Sequence, residues 1–384
     1  MIHGNNPELK LKEALRAQAY QLGFDAVGFA PARPPPGVEH FSRWLDQGRH
    51  GSMVWLEKNS DIRKDPSRLL PGCGVVMVVG LNYRPVRETW AEPNQLDLAA
   101  FCRIDDYHLM IKEKLQRLAD WLERRCGRTL AGRVCVDSAP VMEKPLAAVA
   151  GLGWQGKNTL LVSRQWGGWL FLGDYLIPLD LPPDSPSGSH CGTCRRCCDI
   201  CPTRALDGLG GMDASRCISY WTLEAKGPIP WEYRVHVGNR VLGCDLCLRV
   251  CPWNRFARPA RENALIPRED LGNRPLTDFA ALTEGEFKEL FHRSSAKRVG
   301  RTRFLRNLAI ALGNSGAGEA VLALARLATE PEVLIRGAAI WGLGRALQPS
   351  WSREAQERAG LILARSAWEE RHPMVLEEIA RARR

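Results

Sequence analysis

The thirteen residues HCGTCRRCCDICP, His190 to Pro202, constrain this chain more than any other stretch. Thiols fall at Cys191, Cys194, Cys197 and Cys201 ahead of Pro202, with Cys198 squeezed between. In a CxxCxxCxxxCP run three thiolates hold one four-iron cubane and the fourth reaches to a neighbouring cluster, so one run requires a second. It comes at GCDLCLRVCPWN, where Cys244, Cys247, Cys251 and Pro252 repeat the tail of the pattern but position 241 is Val; Cys217 stands upstream as the nearby replacement. The eight sulfurs divide as Cys191, Cys194 and Cys197 with Cys251, and Cys244, Cys247 and Cys217 with Cys201. Cys198 is left over and can substitute for Cys197. A pair of zinc knuckles would use the same CxxC pairs, but eight thiolates with two CP endings favour iron and sulfide. Two such clusters make a relay that moves one electron at a time.

The chain has 384 residues, too many for one ordinary core, so two or three domains are expected. The amino terminus MIHGNNPELKLKEALRAQ is polar and acid-bearing, unlike a signal or transit peptide, and no run of about 18 apolar residues occurs. That predicts a cytoplasmic protein without a membrane partner. In a reducing compartment thirteen cysteines are not disulfides, and their crowding between Cys191 and Cys251 points to metal. Cys73, Cys102, Cys126 and Cys135 read as ordinary buried residues.

Asn6 before Pro7 and Glu8 opens a helix that carries Leu11, Leu15, Ala19 and Leu22 at helical spacing and stops at Gly23. VVMVVGLNY, Val75 to Tyr83, reads as a buried strand, and Tyr107 to Arg125 as a helix with Ile111, Leu115, Leu118 and Leu122 on one face. GRVCVDSAP gives another strand ending in a turn, and EKPLAAVAGLGW a helix running into glycines. This alternation predicts an α/β domain over residues 1–182. LPPDSPSG is a breaker-rich hinge, and residues 183–260 have too little apolar periodicity to fold without metal. Past a polar linker, RNLAIALGN from Arg306 echoes RGAAIWGLG from Arg336, which suggests a short HEAT-like helical array over 275–384.

The relay must deliver to something. Val136 to Val162 offers Asp137 at a strand end, then Glu143 and Lys144, then a glycine turn bearing Trp154, Lys157 and Asn158. A plainer reading makes Asp137 a helix cap and the lysines a solvated face. The only GxGxxG, in GLGWQG, ends a helix and precedes a strand, so a nicotinamide or flavin site is poorly supported.

DSAPVMEKPLAAVAGLGWQGKNTLL, the eight-cysteine set, CISYWTLEAKGPIP, GCDLCLRVCPWN and DYH together resemble the epoxyqueuosine reductases, from about Leu11 to the carboxyl end. The resemblance implies a cobalamin enzyme that removes the epoxide oxygen of epoxyqueuosine at the wobble position of tRNA. It also implies a nitroreductase-like α/β core, a bacterial ferredoxin-like module with two [4Fe-4S] clusters, and a HEAT-like tRNA-binding domain. The sequence lacks DxHxxG, since DDYHLM does not fit, which agrees with a base-off corrinoid without a histidine below the cobalt. Arg63, Lys144 and Lys157 would hold corrin amides, phosphate or nucleotide tail. Tyr107, Asp137, Ser138, Asn158, Ser219, Cys244 and Asp245 complete the cofactor-binding set, and the cluster using Cys244 would lie nearest the corrin.

Asp137 is then the proton donor to the departing oxygen, which requires a raised pKa from burial against the corrin with no cation alongside. Electrons come from an external low-potential donor. HRSSAKRVGRTRFLRN, His292 to Asn307, carries six Lys or Arg and no acid, and with the net charge of +10 suggests an RNA track through Lys297, Arg298, Arg301 and Arg303. Lys226 extends it, and Tyr220, Trp221 and Trp231 offer rings for an unpaired base. The rival readings are a corrinoid-dependent reductive dehalogenase or other small-molecule reductase, and an electron carrier fused to a binding module.

Overall fold

A computed structural model describes residues 6–87, 90–272 and 274–383; the first five residues of the polar amino terminus, residues 88–89 and 273, and the last residue of the 275–384 segment lie outside the described residues. The chain forms two compact units. One comprises Met1–Val86, Asp106–Ser215 and Leu246–Ile266, the other Arg87–Asp105, Arg216–Asp245 and Pro267–Arg384.

In the first unit, α1 (Pro7–Gln21) starts where the sequence places it: Asn6 Oδ1 accepts the N–H groups of Glu8 and Leu9 at 2.9 and 3.2 Å. Strands β1 (Ala26–Pro31) and β2 (Val75–Asn82) precede α2 (Tyr107–Cys126), and β3 (Arg133–Cys135) and α3 (Glu143–Val149) precede β4 (Leu170–Ile177). The anticipated face of α2, Ile111, Leu115, Leu118 and Leu122, is buried. The sheet order is β1-β2-β4-β3, and every pairing is antiparallel. Alternating helices and strands suggested an α/β layout, but the connections are long enough to return the chain to either end of the sheet. β2 and β4 are buried along all eight residues. The sequence reading passes over β4, because Gly173 and Asp174 interrupt its apolar run. Asp174 pairs with Val78 on β2 and Cys135 on β3, at the sheet centre.

The second unit is mainly helical, with one short parallel strand pair, Asp97–Leu98 against Arg240–Leu242. Its helices include α4 (Trp231–Val237), α5 (Arg301–Asn314), α6 (Ala320–Leu327), α7 (Val333–Arg345), α8 (Arg353–Glu369) and α9 (Pro373–Ala382). The two echoing segments lie on α5 and α7, and their shared glycines have a packing cause. A Cβ on Gly313 would come within 2.6 Å of the Gly342 Cα, so the backbones meet where neither residue has a side chain. Arg234 on α4 forms a two-pronged buried pair with Glu378 on α9, at 2.9 and 2.7 Å. No described helix is long and apolar enough to cross a membrane.

Candidate functional site

The cysteine-rich loops carry the first part of the site. Cys191 and Cys194 lead into the short helix Arg196–Asp199, which carries Cys197, and Cys251 precedes the turn Pro252–Phe256. Burial raises the Cys251 thiol, and Cys191 and Cys194 raise it further. Burial, followed by Cys198 and Cys191, pushes Cys197 up to about 12. Thiols that resist one another's ionisation become thiolates together only on a cationic centre, so this donor set fits a metal cluster. Among the described residues no three His, Cys, Asp or Glu side chains converge as they would on one ion. A cubane differs from one ion in taking its thiolates at four separate corners.

Neighbouring groups brace these loops. Trp154 Nε1 donates to Cys191 Sγ at 3.4 Å, and Lys157 Nζ donates to the Gly192 and Cys194 carbonyls at 2.8 and 3.1 Å. Asn158 Nδ2 donates to the Cys247 carbonyl at 3.1 Å, and the Ala205 N–H donates to Cys201 Sγ at 3.3 Å. Lys157 and Asn158 thus engage the cysteine loops. Cys198 Sγ lies 4.0 Å from Cys197 Sγ. Cys201 and Cys247 belong to the first unit, whereas Cys217, Ser219, Cys244 and Asp245 belong to the second, where Asp245 Oδ2 accepts the Ala100 N–H at 2.7 Å. Of the other four thiols, Cys102 and Cys135 are buried, while Cys73 and Cys126 are only partly so.

The second part surrounds Asp137. Beyond β3 the chain turns tightly, and Asp137 takes a left-handed φ of 54°, a conformation Asp tolerates better than most residues. Its N–H donates to Glu143 Oε1 at 2.6 Å, and its Oδ2 lies 3.1 Å from His108 Nε2. His108 Nδ1 in turn lies 2.7 Å from Asp106 Oδ1. A stack of rings holds this end of α2: Phe171 lies between Tyr83 and Tyr107, each at 3.9 Å. Burial lowers the His108 pKa, but hydrogen bonds to Asp137 and Asp106 outweigh it and leave it raised.

The sequence reading expected Asp137 to be buried against the corrin with no cation alongside; in the protein alone its side chain is 63% exposed, and His108 adjoins it. The enclosed acid is Glu143. Burial first, then the charge of Asp137, raises its carboxyl to about 7. Asp106, His108 and the orientation of Glu143 had no sequence signal beyond the DDYH run and the EK pair.

A cavity of 540 Å³ opens in front of this turn. Arg63, Asp137, Glu143 and Lys144 line it together with Phe41, Trp44, Trp55 and Met212. Arg63 lies over the Trp55 ring at 5.5 Å, and its Nε is buried with no hydrogen-bond partner. Lys144 opens onto the cavity but is crowded by protein elsewhere; desolvation lowers its pKa while Asp137 and Glu143 oppose the shift. Apolar rings, two cations and an unmet donor suit a flat ligand fringed with acceptors. Tyr107 and Ser138 flank the turn without lining the cavity. The cavity rings of Phe41, Trp44 and Trp55 were not anticipated.

In the second unit the basic run is divided: Arg293, Lys297 and Arg298 are exposed, while Arg301 and Arg303 are partly buried and Arg306 fully so. Arg306 is 1% exposed and donates to the Trp221, Ala225 and Gly227 carbonyls. Arg303 donates to the Val299, Leu223 and Arg298 carbonyls, and Arg301 pairs with Glu330 at 2.7 Å. Tyr220 is buried and offers no free ring face, whereas Trp221 and Trp231 are partly exposed. Lys226, Lys297 and Arg298 are exposed, and Arg298 is paired with Glu224.

A family model described as a 4Fe-4S double cluster binding domain matches residues 190–254. The chain is therefore an iron-sulfur protein with a double-cluster module, and the zinc alternative is set aside. A second model, described as epoxyqueuosine reductase QueG, DUF1730, matches residues 63–138. An epoxyqueuosine reductase of Pseudomonas aeruginosa is 40% identical over 88% of this chain and 94% of its own length. A crystal structure of epoxyqueuosine reductase with an epoxyqueuosine-modified tRNA-Tyr stem loop matches with TM-score 0.88 at 27% identity, over 98% of both chains. One from Bacillus subtilis, with its catalytic aspartate loop swung out of the active site, matches with TM-score 0.86 at 27% identity, again over 98% of both. The chain belongs to the epoxyqueuosine reductases.

Proposed function

We infer that this protein reduces the epoxide of epoxyqueuosine in tRNA to the alkene of queuosine. The observation that carries the reading is the union, within one chain, of a double-cluster cysteine set and a cavity whose wall presents Asp137 bonded to His108. The functional division we adopt is an α/β catalytic module over 1–182, a cluster module over 183–260 and a HEAT-like, tRNA-binding module over 275–384.

One cluster is assigned to Cys191, Cys194, Cys197 and Cys251, the other to Cys201, Cys217, Cys244 and Cys247. Electrons from an external low-potential donor pass along them singly. Arg63 and Lys144 fit acceptor groups on the rim of a base-off cobalamin. That cofactor, when bound, supplies a strongly reducing cobalt centre. Ser219, Cys244 and Asp245 are assigned to the same cofactor. Asp137 protonates the oxygen as it leaves, because an alkoxide or hydroxide is a poor leaving group, and His108 fixes the carboxyl in place. Exposed Lys226, Lys297 and Arg298 are assigned to RNA phosphates, and Trp221 and Trp231 to bases.

The test is anaerobic incubation of reconstituted protein with cobalamin, a low-potential reductant and epoxyqueuosine-bearing tRNA, followed by nucleoside analysis. Queuosine should form, and tRNA binding should weaken steeply with salt. A protein that leaves the cobalamin spectrum unchanged and binds tRNA no better than a neutral protein would contradict the reading.

A further inference from the structure

Reducing an epoxide to an alkene breaks both C–O bonds, forms the C=C bond and releases the oxygen as water. Each turnover therefore consumes two electrons and two protons. The cluster relay and its external donor supply the electrons. Asp137 holds one proton at most. After the first transfer it is a carboxylate and must be reloaded before the second C–O bond can break.

The other acid on the cavity wall is Glu143, in the first turn of α3. Its Oε1 accepts the Asp137 N–H at 2.6 Å, which ties it to the turn that carries the donor. We propose that Glu143 is a positioning residue that reloads Asp137: it stores the second proton against the Asp137 turn and returns it to the Asp137 carboxylate after the first transfer. The proposal rests on the reading of Asp137 as donor. In sequence, Asp137 protonates the epoxide oxygen as the ring opens, Glu143 reprotonates Asp137, and Asp137 protonates the hydroxyl, which departs as water. Solvent then restores both acids.

The surroundings of Glu143 suit storage. Asp137, His108 and Tyr107 face it from the turn and α2, Lys144 from its own helix, Arg63 from the short helix Ser60–Lys64, and Cys135 and Asp174 from the sheet. Burial is the larger cause of the raised Glu143 carboxyl and acts whether or not Asp137 is charged; once Asp137 has given up its proton, its charge adds to the effect. Asp174 is 0% exposed, and neither carboxyl oxygen has a hydrogen-bond partner. Burial holds Asp174 neutral, with the Glu143 charge adding to the effect. A carboxyl group in the core behind Glu143 supplies no positive charge that would strip the proton from it.

Glu143→Gln separates positioning from storage, because the amide oxygen still accepts the Asp137 N–H but carries no transferable proton. In the cofactor-free protein, infrared titration should show a protonated-carboxyl band fading near pH 7 that is absent in Glu143→Gln and present in Asp137→Asn. In the reconstituted enzyme Glu143→Gln should lower kcat about a hundredfold with tRNA Kd unchanged, and added formate should restore much of the loss. If Glu143→Gln fails to fold, Glu143→Asp should keep a titrating band at a shifted midpoint. A band that still fades near pH 7 in Glu143→Gln, distinct from the Asp174 band that stays through that range, or wild-type kcat and pH profile in that variant while Asp137→Asn is inactive, overturns the proposal and leaves the Asp137 reading intact. Wild-type turnover in Asp137→Asn overturns that reading itself.

Discussion

His108 Nε2 lies 3.1 Å from Asp137 Oδ2, so the exposed end of the aspartate is held by a ring that Asp106 holds in turn. The hydrogen bonds that raise the His108 pKa favour its protonated form. The clamp is therefore complete below the ordinary histidine value and is lost as pH rises through the raised one. His108→Ala should reduce kcat about a hundredfold, since small misplacements of a reacting group cost that much. The alkaline fall in rate should also flatten, as measured by pH–rate profiles of the two enzymes.

Glu143 makes a stability prediction that needs no substrate. Its carboxyl stays protonated in the folded chain up to about pH 7, whereas the unfolded chain ionises it near the ordinary 4.5. The folded state thus binds more protons between those values, and its stability falls as pH rises through that window. Glu143→Gln removes the effect, so relative to wild type it should gain up to about 3 kcal/mol between pH 4.5 and 7, with no further change above. Denaturant midpoints at several pH values check this.

Trp154 Nε1 donates to Cys191 Sγ, and such bonds stabilise the extra charge of a reduced cluster. Trp154→Phe should make the potential of the attached cluster about 40 mV more negative, the equivalent of one hydrogen bond of about 1 kcal/mol. A redox titration followed by electron paramagnetic resonance reads the shift directly.

Arg234 and Glu378 are both nearly inaccessible, at 4% and 9% side-chain exposure. Arg234→Met leaves a buried carboxylate unpaired and should cost about 3–5 kcal/mol, while Arg234→Met with Glu378→Met should recover most of it. Chemical denaturation of the three proteins gives the comparison.

Much of this was legible in sequence because it is written at short range. Asn6 with Pro7 starts α1, the apolar runs set β2 and one face of α2, and the cysteine spacing declares the double cluster. What was not legible depends on long-range placement. The arginines of the basic run look like a surface track, yet Arg303 and Arg306 spend their donors on the protein's own carbonyls. β4 hides behind a buried Asp174. The acid chemistry was not legible either, because burial and the charge of Asp137, and not residue type, raise the Glu143 carboxyl.

The most direct measurement is single-turnover conversion of epoxyqueuosine tRNA by fully reduced, cluster- and cobalamin-loaded protein, wild type against Asp137→Asn. The account predicts queuosine from wild type and a rate lower by about a hundredfold to ten-thousandfold in Asp137→Asn, with iron content and cobalamin spectrum unchanged. Equal rates in the two proteins, or no queuosine from a wild-type protein carrying its full iron and cobalt, would contradict it.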